Sequence, residues 1–62
     1  MIYDNVKRIA ELRNKTICQI EREENIGNGT IGAWAKGSKP MVETVIKVAK
    51  NLDCPVDELL KE

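Results

Sequence analysis

TICQIEREENIGNGTIGAWAKG, running from Thr16 to Gly37, is the stretch from which the remainder of the chain can be placed. Ile17 and Ile20, with Cys18 beside them, give its first part an apolar side, and Asn25-Ile26-Gly27 then interrupts the pattern. Ile31, Trp34 and Ala35 restart it at helical spacing. The spacing predicts two short helices, over about Ile17–Glu24 and from near Asn28 to Gly37, separated by a tight turn. A helix of about eight residues is marginal alone, so each must be held by packing against the other and against the rest of the chain. Thr16 suits the N-cap of the first of them, because its hydroxyl can accept from a free backbone N–H. Asn25 and Gly27 supply the positive backbone angle and the flexibility the turn needs while Ile26 drops into the core.

Two helices meeting across such a turn have helix-turn-helix geometry. The second carries Gly29 and Gly32, read here as interior positions, each costing roughly 1 kcal/mol relative to Ala. Either that face lets the backbone approach a partner closely, or the glycines lie on a solvated side where the cost is tolerated. Glu21, Arg22 and Glu23 are expected mostly in solvent.

Working outward, Val6, Ile9 and Ala10, with Leu12 or the stem of Arg13, mark one side of a helix over about Asp4–Arg13. Ile2 and Tyr3 pack at its start, Asp4 is its expected N-cap, and Asn14 can take the left-handed conformation that ends it. Downstream, Gly37 ends the third helix and Ser38-Lys39-Pro40 forms a loop whose proline can open the fourth. There Val42, Val45, Ile46, Ala49 and Leu52 form the clearest amphipathic pattern in the sequence, and all are assigned to the core. Asp53-Cys54-Pro55 breaks it, and Val56, Leu59 and Leu60 make a last short helix, with Asp57 and Glu58 where the helix dipole favours acids. No alternating strand pattern or internal repeat appears. The expectation is an all-α, compact five-helix domain spanning residues 1–62.

At 62 residues, a single core supplies only about 3–5 kcal/mol of net stability and leaves no room for a large catalytic cleft. The sequence has no His and no Phe. Cys18 and Cys54 show no CxxC spacing and are read as reduced, structural residues. The acidic pairs Glu23-Glu24 and Asp57-Glu58 are adjacent in sequence and so do not face one another on a helix, and no nucleophile has a His nearby. The reading is therefore not an enzyme, with no cofactor and no metal. No apolar run approaches the roughly 18–20 residues of a membrane span, and MIYDNVKRIA lacks the apolar core of a signal peptide, so the expected compartment is the cytoplasm. Ten basic residues balance ten acidic ones, but not evenly. Lys36, Lys39, Lys47 and Lys50 stand against Glu43 alone between Asn25 and Lys50, while the acids collect at Glu21, Glu23 and Glu24 and again from Asp53 onward. Such a molecule can turn a basic side toward phosphate at zero net charge.

Taken in order, Thr16, Ile20, Ile26, Asn28-Gly29-Thr30-Ile31, Trp34, Lys36-Gly37, Pro40, the run Val42–Ala49, Leu52 and Val56-Asp57-Glu58-Leu59-Leu60 resemble the Cro and lambda-repressor-like, or XRE-type, regulators over nearly the whole chain. The resemblance makes the third helix the recognition helix. It places Asn28, Gly29, Thr30 and Ala33 where family members touch base edges: Asn28 could pair with adenine and Thr30 could hydrogen-bond or set its methyl against thymine, whereas Gly29 and Ala33 read by shape or methyl contact. Lys36, Ser38 and Lys39 correspond to the phosphate-contacting loop, and backbone N–H groups at Thr16-Ile17 and Asn28 are further expected anchors.

Some positions depart from the family pattern. Ile17 stands where many relatives have a phosphate-contacting Gln, and Glu21 where a small residue usually sits at the helix crossing. Glu24 replaces a usual Leu, so either the helices cross differently or these carboxylates reach solvent. Ala10 and Ala35 replace an Arg and Glu that link the first and third helices, and Met41 replaces a Ser or Thr cap. The implied function is a phage- or mobile-element-type repressor binding double-stranded DNA as a homodimer on a pseudo-palindromic operator. Its subunit interface is expected among Val56, Leu59 and Leu60, although intramolecular core is the competing assignment, most of all for Leu59. The alternative function is a protein-interaction module on the same scaffold, an anti-repressor or antitoxin-like subunit.

Overall fold

Residues 2–61 are described by a computed structural model of the chain. Five helices follow one another, α1 (Ile2–Leu12), α2 (Ile17–Glu23), α3 (Thr30–Trp34), α4 (Val42–Asn51) and α5 (Val56–Leu60), and there is no strand among the described residues. Each helix contributes to one core: Val6, Ile9 and Ala10 from α1, Ile20 from α2, Ile31 and Trp34 from α3, Val45, Val48 and Ala49 from α4, and Leu59 from α5, joined by Leu52. Helix α1 lies against α2, α3 and α5, and α5 lies in turn against α4. Ile26, Cys54 and Val56 pack around the rim of this cluster. Among the described residues no helix is long and apolar enough to cross a membrane, and no group of three or more His, Cys, Asp or Glu could hold a metal ion.

Helices α1 to α4 all stop in the same way, and α2 does so at the turn that aims α3. A residue in the left-handed region follows each of them: Asn14 (φ 58°), Asn25 (φ 57°), Gly37 (φ 99°) and Asp53 (φ 54°). The next N–H then reaches back five residues, Lys15 to Ala10 O (2.9 Å), Ile26 to Glu21 O (2.8 Å), Ser38 to Ala33 O (3.1 Å) and Cys54 to Ala49 O (3.0 Å). This is the Schellman closure, which satisfies carbonyls the helix would otherwise leave free. Asn and Asp tolerate the left-handed region because their short side chains bond locally, so only one of these turns uses Gly.

Side chains from distant segments tie the ends together. Arg13 Nε donates to Leu52 O at the end of α4 (2.8 Å), and Asn5 Nδ2 donates to Leu59 O of α5 (2.9 Å). Lys15 Nζ donates to Glu23 Oε1 (3.0 Å) and Asn51 Oδ1 (2.8 Å), while Asn51 Nδ2 donates to Glu23 Oε1 (2.9 Å) and Glu24 Oε2 (2.8 Å). This knot joins the end of α2 to the end of α4. Glu24 therefore does not simply escape to water; it is half-buried and bonded.

Several local expectations need correction. Helix α1 begins at Ile2, so Asp4 lies within its first turn and does not cap it. Pro40 precedes α4 without opening it, and Met41 is the N-cap, with no side-chain bond to offer. The buried side of α4 is Val45, Val48, Ala49 and Leu52, whereas Val42 is 74 % and Ile46 39 % exposed. The sequence carries two overlapping apolar stripes here, and spacing alone does not say which of them the neighbouring helices cover. Cys18, assigned to the apolar side of α2, is exposed, and both cysteines are free thiols.

Candidate nucleic-acid interface

Helix α3 is only five residues long, Thr30–Trp34, so it starts two residues later than the periodicity suggests. Ile31 and Trp34 anchor it in the core. Gly29 is its N-cap with φ 90°, a conformation most L-residues avoid, and a cap of this kind has no side chain to bond the free N–H groups behind it. The missing acceptor comes from α2. Glu21 is 3 % exposed, and its carboxylate accepts from Gly29 N–H (3.1 Å) and Ile31 N–H (2.8 Å). A carboxylate at a helix N-terminus meets both hydrogen-bond donors and the positive end of the dipole, which is what makes burying the charge tolerable. The expectation that Glu21 is solvated is thereby overturned. Glu21 also takes the N–H groups of Gly29 and Ile31 out of reach of an external phosphate, while the Asn28 N–H is not among the donors it occupies.

The remaining site residues lie as follows. Asn28 and Gly29 are exposed, and Thr30, Gly32 and Ala33 are half-buried. A Cβ added at Gly32 would meet nothing within 4 Å, so internal packing gives no reason for a glycine there. Lys36, Ser38 and Lys39 are exposed in the turn and loop that follow α3, and Ser38 spends its backbone N–H on Ala33 O. Among the described residues neither Lys36 nor Lys39 is ion-paired. At the start of α2, Thr16 caps the helix by accepting from Gln19 N–H (3.1 Å), with Ile17 half-buried beside it. Val56 is half-buried against the core, Leu59 is wholly enclosed within the protomer, and Leu60 is 56 % exposed.

A family model described as helix-turn-helix matches residues 6–59, so that α2, the turn and α3 fall inside the matched region. This chain belongs to the XRE-type helix-turn-helix family. No curated protein and no solved structure matches it. XRE-type helix-turn-helix proteins are DNA-binding regulators. In this XRE-type chain the Arg and Glu that often link the first and third helices are replaced by Ala10, which is buried, and Ala35, which is exposed. The link from α2 to α3 is made instead by Glu21.

The sequence reading missed Glu21, Arg13 and Asn51 as structural ties. For Glu21 no signal was present, because Gly29 reads as a helix-interior position and only the observed start of α3 makes it a cap without an acceptor. For Asn51 no local pattern would have revealed its partners. Electrostatically, the side-chain hydrogen bond from Asn51, followed by those from Lys15 and Gln19, holds the Glu23 carboxyl down at about 2. Burial pushes the Cys54 thiol up, in keeping with an inert rim residue and not a reactive one.

Proposed function

We propose that this chain is a sequence-specific double-stranded DNA-binding transcriptional regulator, a repressor of the phage or mobile-element type, working in the cytoplasm as a homodimer on a pseudo-palindromic operator. The observation that carries the reading is the XRE-type match over α2 and α3, with Asn28-Gly29-Thr30 at the start of α3 and, just beyond its end, Lys36 and Lys39, neither ion-paired among the described residues. In this reading Asn28, Gly29, Thr30 and Ala33 face base edges, and Lys36, Ser38, Lys39 and the backbone at Thr16-Ile17 hold phosphates. The longest extent of the protomer is 26 Å, shorter than the roughly 34 Å of one DNA turn. One copy therefore covers one half-site, and specificity requires two. The proposed subunit surface is Leu60 with the half-buried Val56, supported from behind by Leu59, and Val42 and Ile46 on α4 offer further exposed aliphatic area.

A second reading, favoured by the exposed Val42 and Ile46 and by the absence of Arg from α3, is a protein-interaction module of the anti-repressor or antitoxin type. Selection of bound duplexes from a random-sequence library at about 0.1 M salt separates the two, with salt fixed because phosphate affinity falls steeply with it. The expected result is a two-fold symmetric motif with half-site centres about 10 bp apart. Reversal of both lysines, Lys36→Glu with Lys39→Glu, is then expected to abolish duplex binding. Recovery of no motif by folded protein would remove the DNA reading and leave the protein partner.

A further inference from the structure

We infer that Glu21 is a positioning residue for base readout: its buried carboxylate sets where the recognition helix starts and how Asn28, Gly29 and Thr30 are presented. The inference rests on the DNA-binding reading above. Helix α3 cannot define its own start, because it is five residues long and its cap is Gly29 in a left-handed conformation. The two N–H groups that Glu21 accepts, at Gly29 and Ile31, bracket Thr30 in the chain. The backbone on both sides of a base-facing residue is thus clamped to α2, which is itself locked to α4 through Glu23, Glu24 and Asn51.

The sign of the charge distinguishes positioning from affinity. A carboxylate just behind a helix that enters a polyanion's groove repels phosphate, so a residue there that served affinity would be neutral or basic. It also occupies donors that a helix start otherwise offers to phosphate. The chain thus carries a cost to DNA attraction at this position, and what it gains is a fixed geometry. Recognition groups must be held to within about 0.5 Å of their working position to discriminate, whereas phosphate contacts are more forgiving.

The test compares the unmodified chain with Glu21→Gln, which keeps the shape and one acceptor, and with Glu21→Ala. The affinity for the duplex selected by the unmodified chain is measured against that for a scrambled duplex at the same salt. Amide hydrogen exchange of the free proteins is followed at Gly29 and Ile31. The expected result for Glu21→Gln is a specific-to-non-specific ratio lowered about tenfold or more. Non-specific binding should be equal or tighter, and faster exchange should be centred on Gly29 and Ile31. Glu21→Ala, where it folds, should lower the ratio further. A folded Glu21→Gln with an unchanged ratio overturns the role of Glu21 alone. Exchange accelerated across the whole core makes Glu21 a general stability residue and also overturns it. An unmodified chain that selects no motif overturns the DNA reading and this role together.

Discussion

Helices α3 and α4 are neighbours in sequence and begin in comparable difficulty. The N-cap of α3 is Gly29 and that of α4 is Met41, and neither side chain bonds the free N–H groups of its helix. The chain treats them differently. The five-residue α3 receives the buried carboxylate of Glu21, while the ten-residue α4 is left without a side-chain cap. The longer helix is held by Val45, Val48 and Ala49, with Leu52 at its end, and α3 has only Ile31 and Trp34. Where packing suffices, a poor cap is tolerated; where a helix is short and buries only two side chains, a charge is buried to hold it in place.

The largest effect that would break this contrast is expected from Glu21→Leu. It leaves two helix-terminal N–H groups without their acceptor, at about 1–3 kcal/mol each before relaxation. Against about 3–5 kcal/mol of total stability, thermal unfolding should show a largely unfolded protein at 37 °C; a Tm within a few degrees of the unmodified chain would mean that Glu21 does not support α3. Gly29→Ala comes next. The added Cβ meets nothing, so the loss of about 1–2 kcal/mol in denaturant unfolding would come from the left-handed backbone alone. Met41→Asp should act in the opposite direction and stabilise by about 1 kcal/mol, because α4 is the helix left without a side-chain cap. Gly32→Ala should stabilise by about 0.5–1 kcal/mol, since φ is ordinary and the space is empty, yet weaken duplex binding if the groove comes close to that face. The smallest effect concerns the knot between α2 and α4. Because the Glu23 pKa is lowered to about 2 from the ordinary 4.5, its stabilising contribution is complete above pH 4.5 and is lost as pH falls toward 2. Tm measured across that range should fall more steeply for the unmodified chain than for Glu23→Gln.

The five helices, their order and most of the core were legible because apolar residues recur at helical spacing and the breaks carry Asn, Gly or Pro. Asn14 and Gly37 were readable as helix ends for the same local reason. What was not legible was three-dimensional. Val42 and Ile46 share a stripe with Val45 and Ala49, and only the placement of the other helices shows that Val42 is left open and Ile46 is covered in part. Glu21 looked like a solvated member of an acidic run, since burial of a charge depends on donors eight and ten residues away. Of the candidate site, the positions proposed to face bases were assigned from the family pattern, while the hold of Glu21 on the start of α3 was visible only once α2 and α3 were packed together.

The bond from Gly29 N–H to Glu21 also bears on how the protein ages. Asn-Gly is the dipeptide most prone to deamidation, in which the deprotonated glycine nitrogen attacks the asparagine side-chain carbonyl to form a succinimide. Asn28-Gly29 is exposed, yet that nitrogen donates its hydrogen to a carboxylate at 3.1 Å. Deprotonation beside an anion is disfavoured, and a held backbone cannot easily reach the attacking geometry. The contact that caps α3 should thus slow the conversion of Asn28 to a carboxylate, a chemical clock that starts to run once the turn unfolds.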